Sequence, residues 1–245
     1  MKFFNAAAAV AMLCATFSAV AAPDIAGVTL GMSVQQAKAV FKPAIRTVMT
    51  DISNNNRVNI GIIGYSRGSL NDDTGSPEEF LAYQGEAESI WIVERHVKLA
   101  EAERYTEAAL QTALRAKFGT KESFFEKDLK QMIWIFDANG KQLFYNFNNE
   151  LPCAIGAENS ERVNVYSTSV QASLTGPPRN FQTGCNTFYY ASWYKDQNNL
   201  VMGTRIIMQN SGAMVSLIQG RENRAKNEQQ QRTREQVNKN IQPKL

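Results

Sequence analysis

Apolar residues recur along the chain with two periods, one typical of helices and one typical of strands. An apolar stripe with a spacing of four residues predicts a helix over residues 106–118. An apolar strand over residues 90–99 precedes this helix, and a second over residues 132–137 follows it. Trp91 and Trp134 lie within these strands, and we expect the strand–helix–strand unit to form the centre of the core.

The same patterns continue on either side of this unit. Ser33 and Gln36 form a capping-box signature that begins an earlier helix, which ends before Pro43. The polar residues 50–57 predict a turn, and Ser211 is a candidate cap for a final helix. Further strands are predicted at residues 58–65, 80–83, 124–125, 143–147, 163–170, 188–194 and 200–208. Because short turns join these strands, the sequence predicts an α+β fold in which helices cover an antiparallel sheet.

The first 21 residues have the pattern of a secretory signal peptide. Lys2 precedes an uncharged, alanine-rich apolar run, which ends at Ala19-Val20-Ala21 before Pro23. We expect cleavage after Ala21 and a mature protein that is periplasmic or secreted. No later segment approaches the roughly 18 consecutive apolar residues of a membrane-spanning helix, so we expect no transmembrane segment.

The order of the predicted elements, a helix and then strands, occurs twice and predicts two α+β repeats, at residues 22–100 and 101–220. A shift in composition marks a polar tail at residues 221–245. The whole chain carries 26 basic and 23 acidic residues, for a formal charge of +3. The tail holds seven of these basic and three of the acidic residues, which leaves −2 on residues 22–220. We expect the tail to be an exposed helix or disordered, with an anionic surface as a candidate contact. An exported chain is not expected to meet nucleic acid.

Three cysteines are present, and Cys14 lies within the signal segment. Cys153 and Cys185 remain as an even pair in an oxidising compartment, which predicts a disulfide between them. A redox-active pair is the alternative, although no C-x-x-C spacing supports it. With His96 as the only histidine, the chain offers no convincing zinc ligand set, so we expect no metal and no cofactor.

One motif raises the alternative of a serine hydrolase. Gly64-Tyr65-Ser66-Arg67-Gly68 matches G-x-S-x-G, with Asp72 or Asp73 as the acid and His96 as the base. A hydrolase needs a helix directly after this serine, whereas a turn-rich polar segment follows it here. We therefore expect no enzyme at this site.

Two other groups of residues are candidates for a site. The adjacent carboxylates Asp72-Asp73 and Glu78-Glu79 would suit a glycosidase, although solvated charge is the commoner role of such residues. Alternation in the strand at 188–194 places Tyr190 on one face, with Tyr189 and Trp193 on the other. These aromatics predict either core packing or an exposed row that binds a sugar or a peptide.

Residues 27–37 contain Leu30-Gly31-Met32-Ser33 directly before the first predicted helix. This element resembles the opening of small exported bacterial envelope proteins of the SmpA/OmlA-like or β-lactamase-inhibitor-protein-like fold. The resemblance implies a layered α+β fold that binds other proteins. It does not assign a functional residue to any position of this chain. Leu13 directly before Cys14 departs from a lipoprotein signal, so we do not expect lipid anchoring.

These patterns favour an exported, non-enzymatic binding protein of the bacterial periplasm or envelope. Its expected partner is a protein or an envelope component. The alternatives are the serine hydrolase and an envelope-assembly factor that works through a sheet edge and the tail. A hydrolase requires Ser66 and His96 within hydrogen-bond distance of each other, so the relative position of these two residues distinguishes the hydrolase hypothesis from the binding-protein hypothesis.

Overall fold

A computed structural model describes residues 22–41, 47–53, 59–66, 78–84, 89–127, 130–144 and 186–240. The predicted signal segment, both cysteines of the predicted disulfide (Cys153 and Cys185), Asp72-Asp73 and the predicted strand at 163–170 lie outside these residues. In chain order, the elements are α1 (Val34–Val40), β1 (Thr47–Ser53), β2 (Asn59–Ser66), β3 (Glu78–Tyr83), β4 (Ile92–Lys98), a 3-10 helix (Glu101–Glu103), β5 (Tyr105–Thr106), α2 (Glu107–Phe118), β6 (Phe124–Glu126), β7 (Gln131–Phe136), β8 (Gln142–Leu143), β9 (Thr187–Lys195), β10 (Leu200–Asn210) and α3 (Ser211–Asn240).

Within the described residues, ten antiparallel strands form one sheet, whose main order is β1-β2-β3-β4-β10-β9-β7-β6. The short strands β5 and β8 lie off this order and pair with β10 and β7. The strands after α1 run inward from one edge, and those after α2 run inward from the other. The two sets meet where β4 pairs with β10, from Ile92 opposite Gln209 to Lys98 opposite Gly203. The predicted α+β class with an antiparallel sheet is confirmed.

Helix α1 begins at the predicted capping box. Ser33 Oγ accepts a hydrogen bond from the Gln36 amide at 3.2 Å, and the Gln36 side chain accepts one from the Ser33 amide at 2.8 Å. These bonds satisfy two amide groups near the start of the helix, where amides lack helical partners. Val34 and Ala37 are buried, and α1 packs over β2 and β3.

Helix α2 packs over the other half of the sheet with the predicted apolar stripe. Leu110, Leu114 and Phe118 are buried, and the Phe118 ring centroid lies 5.0 Å from that of Tyr189. Trp134 packs beside Phe118 at 5.4 Å between ring centroids. Its indole nitrogen donates to the Gly119 carbonyl at 3.1 Å, which satisfies a polar group in the core. The predicted helix is therefore confirmed. The predicted strands at 90–99 and 132–137 form as β4 and β7, and the short strands β5 and β6 lie between them and the helix.

The predicted turn at residues 50–57 is wrong in its first half. Strand β1 occupies Thr47–Ser53 and pairs with β2 along its length. A strand at the edge of a sheet is stabilised by pairing with its neighbour, and this contact is not encoded in local polarity. β8 ends at Leu143, and residues 145–147 of the predicted strand lie outside the described chain.

Helix α3 runs without a break from Ser211 to Asn240. Ser211, the predicted cap, is instead the first residue of the helix, and the side chain of Asn210 caps it. The helix continues through the segment for which the sequence allows either an exposed helix or a disordered tail. Every side chain from residue 223 to residue 237 is exposed. Within the described residues, no helix combines the length and the apolar character that crossing a membrane requires.

Candidate functional site

The two faces of the sheet carry different side chains. α1 and α2 lie on the same face of the sheet, which we call the helix face. Directly opposite residues of neighbouring strands share a face, and following these partners across the sheet connects the residues under α1 with those under α2. Phe41, just past α1, packs on Phe80 with 4.1 Å between ring centroids, and Phe118 of α2 packs on Tyr189. Alternation places Ser192 and Tyr194 of β9 on the opposite face.

A cluster of polar side chains lies across the central strands of the opposite face. The register aligns Ser192, Arg205, His96 and Glu79 on β9, β10, β4 and β3. Residues two positions away along these strands share the face with them. We call the charged and aromatic members the central polar patch, which consists of Glu79, Glu94, His96, Lys98, Tyr194 and Arg205.

Two ion pairs organise the central polar patch. Arg205 Nε lies 2.6 Å from Glu94 Oε1, and these side chains are 24% and 15% exposed. His96 Nδ1 lies 3.9 Å from Glu79 Oε2, and this contact is an ion pair only when the imidazole is protonated. With Lys98 included, the patch holds two carboxylates, two basic side chains and one imidazole, for a formal charge of zero with the imidazole neutral. The patch is therefore close to neutral at pH 7.

Tyr194 is the most exposed member of the patch, at 37%. Its ring lies across Gly203 of β10, where an added Cβ would come within 2.1 Å of the tyrosine Cζ. The ring also meets His96 edge-on, with 6.3 Å between centroids. Partial burial raises the pKa of the Tyr194 phenol, and the Glu79 carboxylate raises it further. The phenol is therefore a neutral hydrogen-bonding group at physiological pH.

A second polar cluster lies on the helix face, near the join between β4 and β10. Glu78 is fully buried, and Arg95 Nε lies 2.5 Å from its Oε1. Burial raises the pKa of the nearby Tyr105 phenol, against the opposing effects of Arg95 and of a hydrogen bond with Thr204. A buried, paired carboxylate of this kind fixes the packing of neighbouring strands.

The alternative of a glycosidase pair at Glu78-Glu79 is not supported, because the two carboxylates do not share a face. The expected role of solvated charge is wrong for Glu78, which is fully buried. Glu78 lies opposite Val97 and is ion-paired with Arg95 on the helix face. Glu79 lies opposite His96 in the central polar patch. Successive residues of a strand project to opposite sides of the sheet, so the two groups cannot flank one sugar bond. Among the described residues, no group of three or more His, Cys, Asp and Glu side chains is placed to hold a metal ion.

The aromatic side chains of β9 do not form an exposed row. Trp193 is 5% exposed and Tyr190 is 7% exposed. Tyr189 is partly buried and packs between Phe118 and Phe136. These three residues therefore pack in the core, which is one of the two predicted alternatives, and do not form an exposed binding row. Tyr194, at the end of the strand, is the exposed aromatic instead, and the only sequence signal for it is a glycine on the partner strand.

The serine motif and the histidine lie on different rows of the sheet. Ser66 is the last residue of β2, opposite Thr47. The row of His96 runs through Glu79 to Tyr65, so the register puts Tyr65 rather than Ser66 beside the central polar patch. Up to Ser66 the motif is strand, and the candidate acids at positions 72 and 73 lie outside the described residues.

Helix α3 forms a second candidate surface. Its exposed residues 223–237 include four basic and two acidic side chains, so this part of the helix carries +2. Glu228 precedes Arg232 by four residues on the same side of the helix, an order that stabilises a helix. Apolar side chains are rare here, with Ala225 and Val237 as the examples. The surface is therefore polar on all sides and suits electrostatic and hydrogen-bonding contacts.

Comparison with known proteins assigns no family to this fold. No protein-family model, curated protein or solved structure matches the chain. The functional conclusion rests on the chain's own residues.

Proposed function

We propose that this chain is an exported, non-enzymatic interaction protein, and that its partner contacts helix α3. The observation that carries the proposal is the exposure of every side chain from residue 223 to residue 237. Over these 15 residues the helix therefore buries little side-chain surface within the described part of its own fold. A surface that contributes little burial to folding is available for a contact outside the chain.

The first turn of α3 is anchored in the sheet, which presents the rest of the helix in a fixed direction. Ser211 is fully buried, and its amide donates to the Asn186 carbonyl at 2.6 Å. The Ala213 amide donates to Asn210 Oδ1 at 2.9 Å and so caps the helix. Isolated helices shorter than about 12–15 residues are marginal in water, but a continuous 30-residue helix with a fixed start is favoured.

Local contacts stabilise the exposed part of α3 without tertiary packing. Gln231 Nε2 donates to Glu235 Oε1 at 3.5 Å, four residues further along the helix. Pairs spaced by four residues contribute about 0.2–0.5 kcal/mol each. A helix that is formed before binding loses less conformational entropy when a partner docks, which supports its role as a recognition element.

The deletion of residues 221–245 tests the role of α3. We expect the truncated protein to keep its sheet, because the exposed part of the helix contributes little burial to it. Crosslinking in the native envelope, followed by purification, should recover a partner with the full chain and lose it with the truncated one. Recovery of the same partner by a folded truncated protein would contradict the proposal.

A charge-matched pair of variants separates the loss of contact from the loss of a helix. In the first, three exposed basic residues of α3 are replaced by glutamine, namely Lys226, Arg232 and Arg234. In the control, three exposed lysines elsewhere are replaced by glutamine, namely Lys121, Lys127 and Lys141. Both variants lose the same net charge. We expect the first to reduce partner recovery severalfold and the control to leave it unchanged.

Export is supported by the signal pattern before Pro23 and by the even pair Cys153 and Cys185. Mass spectrometry of the native protein tests it independently of α3. We expect an amino terminus at Ala22 and a mass lower by two hydrogens than that of the reduced mature chain. An intact Met1 with both thiols free would remove the support for export.

A further inference from the structure

The two edges of the sheet differ in how well they are protected against pairing with a strand of another molecule. One edge consists of β6 and β8, which have three and two residues and are not continuous with each other. Lys127 and Lys141 lie beside these strands, and both are exposed. Natural proteins protect sheet edges with short strands and with lysine. The β6/β8 edge is therefore protected against association.

The other edge, β1, has seven residues and lacks those features. Its sequence Thr-Val-Met-Thr-Asp-Ile-Ser contains no proline, lysine or arginine and is rich in residues that favour strands. Its single charge, the Asp51 carboxylate, is bound by Lys38 of α1 at 2.8 Å. In the described part of the chain, β1 has β2 as its strand partner and no strand on its other side. An edge of this kind is a template for strand addition.

We propose that β1 pairs antiparallel with β1 of a second copy of this chain, about a two-fold axis at Thr50. Centred there, the register sets Thr50 opposite itself, Val48 opposite Ile52, Thr47 opposite Ser53, and Met49 opposite Asp51. Threonine–hydroxyl and β-branched apolar pairs are among the cross-strand pairs that stabilise sheets. In this register the Thr50, Val48–Ile52 and Thr47–Ser53 pairs are complementary. The Met49–Asp51 pair is not, although the Asp51 carboxylate is already bound by Lys38 of its own chain.

Neighbouring registers are less favourable. An axis at Asp51 would set the two carboxylates of the copies opposite each other, which is destabilising. An axis at Met49 would separate Val48 from Ile52. The irregularity between Ile52 and Ser53 in the pairing with β2 also limits the regular part of the strand, which favours a centre at or before Thr50.

Pairing about one two-fold axis gives a closed dimer. A contact in which each copy uses the same surface is complete after two copies and does not extend into a filament. The axis is perpendicular to the joined sheet, so α1 and α2 of both copies lie on the same side. This inference concerns β1 alone and does not rest on the role proposed for α3.

Disulfide trapping tests the register directly. Directly opposite residues of antiparallel strands have Cα atoms about 4.5–5.5 Å apart, within the range that a disulfide spans. We expect the full chain with Thr50→Cys to form a disulfide-linked dimer at high protein concentration under mild oxidation. The control is Thr112→Cys on the exposed side of α2, and the unmodified chain reports crosslinking through the natural cysteines.

Charge complementation tests the same contact without a covalent trap. We expect Thr50→Lys and Thr50→Glu each to weaken the dimer about fivefold, because like charges would oppose each other. An equimolar mixture of the two should dimerise more strongly than either alone, as measured by light scattering. A misfolded variant would not be rescued in this way.

Three results would overturn the proposal. The first is equal crosslinking of Thr50→Cys and Thr112→Cys. The second is the same light-scattering mass for both charge variants and their mixture. The third is a crosslink map that sets residues 163–170 of the same chain against β1, because the edge would then be covered from within.

Discussion

At the scale of single residues, two tight turns share one design. Asp137 and Asp196 each accept hydrogen bonds from the amides two and four residues later, at 2.8 and 2.9 Å. Each turn also contains a residue with positive φ, which is Gly140 at 77° in the first and Asn199 at 62° in the second. Glycine and asparagine tolerate this conformation, whereas β-branched residues do not.

Substitutions at Asn199 are expected to show this conformational requirement. Asn199→Val should lower the free energy of unfolding by about 1–2 kcal/mol, because valine is strained at positive φ. Asn199→Gly should be close to neutral. Urea denaturation measures both changes. The matched control is Asn198→Val, one residue earlier at an exposed position without positive φ, and an equal loss in the control would contradict this explanation.

A second residue-scale prediction concerns the buried carboxylate. Arg95→Met removes the guanidinium that lies against Glu78, which is fully buried. Breaking a buried pair costs roughly 3–5 kcal/mol, and we expect a loss near the lower end because the Arg95 side chain is 24% exposed. Urea denaturation should also show that Arg95→Met with Glu78→Met recovers part of this loss.

The more exposed pair of Arg115 and Glu122 provides the comparison. Its side chains are 35% and 15% exposed, and the guanidinium contacts both carboxylate oxygens. We expect Arg115→Met to cost about 1 kcal/mol or less, in the range of partly exposed ion pairs. Equal losses in the free energy of unfolding from Arg95→Met and Arg115→Met would show that burial of Glu78 does not determine the cost of breaking its ion pair.

At the scale of elements, ion pairs hold both ends of α2, the first end to the sheet and the last end to the loop before β6. Glu107 in the first turn contacts Lys195 of β9 at 2.9 Å, and Arg115 contacts Glu122 beyond the last turn. The hydrogen bond with Arg115 lowers the pKa of Glu122 and outweighs the effect of burial. Burial raises the pKa of Glu107, but hydrogen bonding and attraction to Lys195 lower it more.

These shifts predict the direction of acid denaturation. A carboxyl group with a lower pKa in the folded state binds protons more readily when unfolded, so it stabilises the fold above its unfolded pKa of about 4.3. That stability is lost as the pH falls through the folded pKa. We therefore expect the urea concentration at the midpoint of denaturation to decrease as the pH is lowered below about 4. In Glu122→Gln this decrease should be less steep. An equal pH dependence in both proteins would contradict this assignment.

The sequence predicts elements well where their determinants are local. The apolar stripe of α2 and the capping box of α1 each lie within a few residues, and both helices form as expected. β1 is missed because its pairing with β2 is a contact between segments. The central polar patch is missed for the same reason. Its members come from β3, β4, β9 and β10, and only the register brings them together.

At the scale of the whole molecule, one core joins the two predicted repeats. The main cluster of buried residues includes Val34 and Phe80 from the first half and Leu114 and Trp134 from the second. β4 is the last strand of the first half, and seven of its residues pair with β10. The two halves therefore share both apolar contacts and backbone hydrogen bonds, which favours cooperative unfolding.

This shared core predicts that residues 22–100 do not fold alone. Without β10, the strand β4 would become an exposed edge, and the buried residues that face the second half would meet water. We expect one denaturation transition for the full chain and a fragment of residues 22–100 without a cooperative transition in circular dichroism. Hydrogen exchange should give β3 and β7 the same free energy of opening, because both depend on global unfolding. A fragment that melts cooperatively, or slower exchange in one half, would show instead that the repeats are independent folding units.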